Sequence, residues 1–525
     1  MQPSWLSIIP PLVVLVSAFI TRRLYVSLGA GLLCAAFIAT GGVPLESIHL
    51  ISERVVQHLT DKDIIYMYSF LIIIGCLIML ICFTGGIYAF AQVLDRRFTN
   101  KRAAETSSLL LSLLVGIDDY LNNLTVGYVM QPIADRFGIA RTKLAYLIHS
   151  MAGPLVILIP ISSWVAIITS NLDLSGISLE NSGAKILADP FFVYLKSIPF
   201  IFYSFFTIFS VWYIVRYQLS FGPMHHHEKQ AQRDLTTQME KNNQNIDKQT
   251  RSSLLDIIVP IGTLMFSVII GILYTGGYYL FGGQNSLLEA FKNNTENSFV
   301  LFFASLIAFS VTLLFGLIRN KVTIKSLPKI ILDGIILMGP AILMLLLAST
   351  LGLLLRYDLA TGAYLAQTFL GTLSPSFMPL MFFAIATIMA LLTGSSWGTI
   401  ALMLPIAIPM LISILSIPLP TTLNAIPILL PTLGAIFSGA VSGDHLSPIS
   451  ETTIMAATSA GTKPLDHAYT QFPYAIPPLI ASAFAFFISG LLINKPLWFD
   501  SMVSLLVGFA LCILLLHVMQ RSWKS

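Results

Sequence analysis

Ser438–Thr453 reads SGAVSGDHLSPISETT. It sets Asp444, His445 and Glu451 among hydroxyls, glycines and a proline, inside a C-terminal half that is otherwise almost uniformly apolar. Ionisable groups at bilayer depth are costly and by default mark an ion, proton or substrate pathway. The rest of the chain makes the bilayer the relevant solvent. Of 525 residues, 56% are apolar and 10% charged, against about 25% charged in a soluble domain, and mean hydropathy is +0.82. The run IIYMYSFLIIIGCLIMLICF at 64–83 is long enough to cross a hydrocarbon core of about 30 Å. The expected fold class is an all-α polytopic membrane protein.

Working outward, apolar spans fall at roughly 5–20, 24–40, 64–83, 144–170, 191–215, 254–281, 298–318, 330–355, 422–460, 470–493 and 500–519. Two further apolar stretches, 107–134 and 377–412, are interrupted by polar centres, IDDYLNNLT and TGSSWGT. Lys and Arg in short loops mark the cytoplasmic side. The first stretch has Arg96, Arg97, Lys101 and Arg102 before it and Arg136, Arg141 and Lys143 after it, so it begins and ends on one side as a re-entrant hairpin. Ser107 to Gly116 would reach about 15 Å, only to the midplane. The second stretch has no basic flank and suits a hairpin entering from outside. Eleven crossings remain, with the N-terminus outside and the C-terminus cytoplasmic, and 22 of the 29 Lys and Arg then face the cytoplasm. The N-terminus has no basic region or small-residue cleavage site and reads as a retained first span. Cys34, Cys76, Cys82 and Cys512 sit in apolar spans, without disulfide or metal-ligand spacing.

The halves resemble each other. Ser150–Ser162 (SMAGPLVILIPIS) aligns without gaps on Ser438–Ser450 (SGAVSGDHLSPIS), Gly86-Ile87-Tyr88 on Gly362-Ala363-Tyr364, and Gln131-Pro132-Ile133 on Leu404-Pro405-Ile406, in order. With the topology above, 1–216 and 254–493 are inverted repeats, 494–525 is an extra helix, and broken crossings lie at 144–170 and 422–460. Inverted repeats with broken helices at the midplane are an architecture of secondary transporters. The polar segment 217–253, which contains MHHHEKQAQRDLTTQMEKNNQNIDKQTR, is too polar to bury a core and reads as a flexible cytoplasmic linker; His225–His227 could bind a metal or sense pH, and the favoured reading is a solvated loop.

The candidate ion or substrate residues are those of the two tips and two breaks. The first tip supplies Asp118, Asp119, Asn122, Asn123 and Thr125, and the first break Ser162 and Ser163. The second tip supplies Ser395, Ser396 and Thr399 beside Trp397. The second break supplies Asp444, His445, Ser447, Ser450, Glu451 and Thr452, followed by Thr453. Carboxylates, amides and hydroxyls are hard ligands suited to an alkali cation. Four unpaired acids at helix centres would cost about 10–14 kcal/mol, so a proton, a cation or water must offset them. A carboxylate that holds either a proton or a sodium ion, exposed alternately to each side, is sufficient for exchange. Each residue also has a structural reading. Asp118 and Asp444 could cap helices, membrane Ser and Thr commonly bond the preceding turn, and His149 reads as a satisfied buried histidine rather than a proton relay. Asp256 and Asp333 read as interfacial.

GDHLSPISETT (443–453), GSSWGT (394–399), DDYLNNLTVG (118–127) and TQFPYA (470–475) together resemble the signature segments of the NhaC-type sodium/proton antiporter family within the Ion Transporter superfamily. The resemblance spans about 60–490. It implies a secondary transporter of the bacterial inner membrane that moves sodium out against protons, with no cofactor beyond the coupling ions and no enzymatic activity. It points to Asp118, Asp119, Asn122, Ser396, Thr399, Asp444, Ser450, Glu451 and Thr452 as the ion-site region. Where the family often carries Asp after Pro-Ile-Ser, this chain has Glu451, one methylene longer. The partners implied are sodium, protons and the lipid bilayer, with self-association compatible and no nucleic acid. The alternative is a sodium- or proton-coupled carrier of a small hydroxy acid or amino acid, against which stands the lack of a midplane Arg or Lys. An intramembrane aspartyl protease would pair two buried aspartates, but VSGD at 441–444 departs from its Gly-x-Gly-Asp.

Overall fold

Apolar runs cut by Gly, Pro and polar tips should give interrupted helices, and the computed structural model has helices that break at such tips. It describes residues 4–21, 23–86, 100–116, 118–160, 162–179, 184–241, 253, 255–293, 296–361, 364, 374–415 and 418–523. The first helices are α1 (Ile9–Thr21), α2 (Leu24–Ala39), α3 (Pro44–Thr60) and α4 (Lys62–Thr84). Next come α5 (Lys101–Leu114) with α6 (Asp119–Arg136), then α7 (Arg141–Val156) with α8 (Ser163–Leu174). After α9 (Phe202–Tyr217) and α10 (Gly222–Lys241) follow α11 (Leu255–Thr275), α12 (Asn297–Ile318) and α13 (Leu327–Leu353). The last are α14 (Met378–Thr393) with α15 (Ser396–Ile414), α16 (Leu429–Leu446) with α17 (Glu451–Ala460), α18 (Pro464–Leu491) and α19 (Leu497–Ser522). Among the described residues, six helices are long and apolar enough to cross a membrane, eight if each of two bent pairs is one span.

The caps explain the interruptions. Asp118 accepts from the backbone N–H of Leu121 at 2.9 Å and starts α6. Ser450 accepts from that of Thr453 at 3.3 Å and starts α17. Gly394, with φ +68°, ends α14 in the left-handed region, where a side chain is strained. A Cβ there would also come within 2.9 Å of the Ile449 carbonyl oxygen, so the tip is pressed against the α16–α17 break. Gly439 and Gly443, one turn apart on α16, bring it against the backbone of α14: a Cβ at Gly443 would stand 2.3 Å from the Thr387 carbonyl oxygen. Small residues at one-turn spacing let membrane helices approach this closely.

Two features differ from the sequence expectation. Residues 41–60, between the expected spans 24–40 and 64–83, contain α3, set at 115° to α2; its charges masked an amphipathic pattern. The linker expected to be flexible over 217–253 is helical over Gly222–Lys241. Its Gln, Glu, Lys, Arg and Met residues favour helix, and one face is anchored. Phe221 stacks on Tyr474 with ring centroids 4.1 Å apart, Met224 is buried, and Glu228 meets both Lys101 and Lys143 at 2.7 Å. Lys143 also pairs with buried Glu105 at 2.9 Å. His225 lies on this helix, 3.1 Å from the Ser220 hydroxyl. Burial alone would raise the Glu228 carboxyl, but Lys143 and Lys101 outweigh it and bring it down to about 2.

A small parallel sheet, β1 (Ile177–Ser178), β2 (Ile186–Leu187) and β3 (Thr421–Thr422), pairs Ile177 with Ile186 and Ile186 with Thr421. It ties the segment after α8 to the one before α16. Ile87, Tyr88, Gly362 and Ala363, which carry one of the repeat matches, lie outside the described residues.

Candidate ion site

Both interrupted pairs of each half contribute to one small polar cavity. Its wall consists of Asp119 and Tyr120 from α6, Gly153 from α7, Trp164 from α8, Gly394 and Ser395 at the α14–α15 turn, Ser396 and Trp397 from α15, Val441 and Asp444 from α16, and Glu451 and Thr452 from α17. Three carboxylates therefore share a space whose lining, among the described residues, includes no Lys or Arg. Trp164 and Trp397 pack with ring centroids 4.0 Å apart.

Asp444 is held from three directions. The Ser450 hydroxyl donates to Oδ1 at 2.5 Å, the Thr452 hydroxyl donates to Oδ2, and Nε2 of His149 lies 3.1 Å from Oδ2. Ser450 and Thr452 are themselves 2.8 Å apart. Glu451 is held by the Tyr120 hydroxyl at Oε2 and by the Ser349 hydroxyl at Oε1, 3.0 Å; its extra methylene reaches donors on α6 and α13. Asp119 is buried at the start of α6 and faces the cavity beside Trp164.

The remaining candidates divide between wall and support. Ser395 and Ser396 are on the wall; the Ser395 hydroxyl accepts from the Gly398 N–H at 3.1 Å, and Ser396 donates to the Ala440 carbonyl at 3.0 Å. Asp118 caps α6 as described. Asn122 donates to the Ser112 carbonyl at 2.7 Å and Asn123 to the Asp119 carbonyl at 2.9 Å, and both amide oxygens lack a partner among the described residues. Thr125 faces a separate apolar pocket with Tyr128 and Ile74. Ser162 donates to the Val156 carbonyl at 2.6 Å, and the side chain of Ser163 lies outside the described residues. Thr399 donates to the Ser395 carbonyl and Ser447 to the Leu391 carbonyl, each at 2.9 Å. His445 turns its Nδ1 to the Tyr203 hydroxyl at 3.1 Å, away from the cavity wall.

His149 is more than a satisfied core histidine. Its Nδ1 lies 3.1 Å from both Nε2 of His467 and the amide nitrogen of Gln471, so a buried chain runs from Asp444 to α18. His149, Asp444 and His445 bring one ligand atom each to within 4.8 Å of one another, a nitrogen and oxygen set that could hold a metal ion. Sequence reasoning missed Tyr120, Trp164, Ser349, His467 and Gln471. His467 and Gln471 had one signal, the four-residue spacing that puts both on one face of α18.

Apolar helices of membrane-spanning length, helices interrupted in their middles and carboxylates gathered at the interruptions together define a multi-pass membrane transporter. Comparison with known proteins gives its family: the chain belongs to the Na+/H+ antiporter family, whose model matches residues 155–491. Asp119 and His149 lie ahead of the matched segment. An uncharacterized protein of Haemophilus influenzae is 31% identical over 92% of this chain and 90% of its own. A malate-2H+/Na+-lactate antiporter of Bacillus subtilis is 31% identical over 36% of this chain and 37% of its own. Among solved structures, the YdaH transporter of Alcanivorax borkumensis is similar over 84% of this chain and 88% of its own, at 14% identity and a TM-score of 0.35.

Proposed function

We propose that this protein exchanges sodium for protons across the bacterial inner membrane by alternating access, with the two ions competing for the cavity carboxylates. The observation that carries the proposal is the cavity itself, where Asp119, Asp444 and Glu451 meet among hydroxyls and backbone. Such oxygen ligands suit an alkali cation, and each carboxylate can hold a proton instead. Residues 1–216 and 254–493 form inverted repeats, with hairpins at about 107–134 and 377–412, eleven crossings, the N-terminus outside and the C-terminus cytoplasmic. The order of interruptions, α5/α6 then α7/α8 and α14/α15 then α16/α17, supports this. Irregular backbone at bilayer depth is tolerated where it lines such a cavity.

In respiring everted vesicles, adding sodium should dissipate the pH gradient, and Asp444→Asn should abolish the response. No response to sodium or lithium would contradict the proposal.

A second reading has one observation in its favour, the similarity over about a third of the chain to the malate-2H+/Na+-lactate antiporter. It makes this protein a sodium- or proton-coupled carrier of a small hydroxy acid. A cavity wall without Lys or Arg weighs against a carboxylate substrate. Gradient-driven uptake of radiolabelled malate or lactate, with no pH response to sodium alone, would favour it.

A further inference from the structure

Behind the cavity, hydrogen bonds fix the orientation of a group that faces it. The side-chain nitrogen of Gln471 lies 2.8 Å from the backbone carbonyl oxygen of His445, an atom that only accepts. This sets which end of the amide is which, because the reversed amide would bring two oxygens together. The same nitrogen lies 3.1 Å from Nδ1 of His149 and has a second hydrogen to donate there. Nδ1 therefore accepts, and a neutral imidazole that accepts at one nitrogen donates at the other. Nε2–H of His149 is then the donor to Oδ2 of Asp444 at 3.1 Å and to Oγ1 of Thr452 at 3.0 Å. Nε2 of His467 also lies 3.1 Å from this Nδ1. His149, His467 and Gln471 are all buried.

We propose that Gln471 is a positioning residue for ion exchange, holding His149 in the tautomer whose Nε2–H faces Asp444 and so fixing that carboxylate on the cavity wall. The tautomer rests on hydrogen bonds alone; its consequence for transport rests on the sodium/proton function proposed above. Glutamate at 471 would accept from His149 at Nδ1 while Asp444 accepts at Nε2, so the ring between two carboxylates would carry both protons. The positive charge so fixed beside Asp444 would compete with sodium for that carboxylate. Gln471→Met keeps the volume and removes the donor without adding a charge.

The test uses full-length protein labelled with 15N-histidine and reconstituted in lipid vesicles. The His149 resonances are assigned by their disappearance in His149→Asn. The expected wild-type spectrum has Nε2 protonated and Nδ1 bare, and Gln471→Glu protonates both nitrogens. In the same vesicles Gln471→Glu raises the KM for sodium roughly tenfold or more, the range of one hydrogen bond to a charged group. Gln471→Met raises it less, and kcat changes little in either. A wild-type spectrum with Nδ1 protonated overturns the tautomer assignment, and an unchanged sodium KM in both variants overturns the positioning role. A wild type with the expected tautomer and no sodium response overturns the exchange function and the positioning role with it. A sodium-responsive wild type with the opposite tautomer overturns the role of Gln471 alone.

Discussion

The two helix breaks that end in Pro-Ile-Ser have the same frame and different contents. At α7–α8 the freed backbone groups are answered locally: the Ser162 hydroxyl donates to the Val156 carbonyl at 2.6 Å, and the Tyr194 hydroxyl to the Ile157 carbonyl at 2.9 Å. At α16–α17 two hydroxyls do the same work, Ser447 on the Leu391 carbonyl and Thr453 on the Ser447 carbonyl, each at 2.9 Å. Two others, Ser450 and Thr452, point at Asp444. The residue aligned with Asp444 is Val156. Breaking a helix in this way thus needs only carbonyl partners, and one break carries an acid as well.

Substitutions can break or sharpen that contrast. Asp444→Asn should remove sodium-driven dissipation of the pH gradient altogether, because the cavity loses its best-held carboxylate. Away from both breaks, Glu228→Ala should cost about 3–5 kcal/mol of stability, since it leaves Lys101 and buried Lys143 one partner short; thermal unfolding of purified protein measures this. Glu228 also sets a pH dependence. Its carboxyl lies at about 2, below its ordinary 4.5. The stability it contributes is therefore complete above about pH 4.5 and lost as pH falls toward 2. Hydrogen-exchange protection over 222–241, corrected for the intrinsic rate at each pH, should hold from pH 7 to about 4.5 and fall only in that acid window.

Ser450→Ala removes a hydrogen bond to a charged group, worth about 1.5–3 kcal/mol, and should raise the sodium KM roughly tenfold or more. Ser162→Ala should leave the sodium KM unchanged and cost about 1 kcal/mol of stability. Equal effects on sodium KM from the two serines would erase the distinction between the breaks.

Much of this was legible in the sequence because the bilayer is a demanding solvent. Polar tips at Asp118–Thr125 and Ser395–Thr399 stand out against apolar runs, and so do the acids after Ser442. Less legible were residues whose chemistry depends on a distant partner. Tyr120 and Ser349 look like ordinary helix residues until Glu451 arrives between them. His149 looks like core until Gln471 and Asp444 meet its two nitrogens. The 222–241 segment misled for a related reason. Its composition is that of a solvated chain, and its anchors, Lys101 and Lys143, lie far upstream.

Sodium binding to purified protein, measured with 22Na+ across a pH series, tests the central claim most directly. Competition at shared carboxylates predicts that bound sodium falls as protons are added, that excess sodium restores it, and that Asp444→Asn binds little at any pH while Ser162→Ala binds as wild type. Sodium binding that ignores pH, or that survives Asp444→Asn intact, would contradict it.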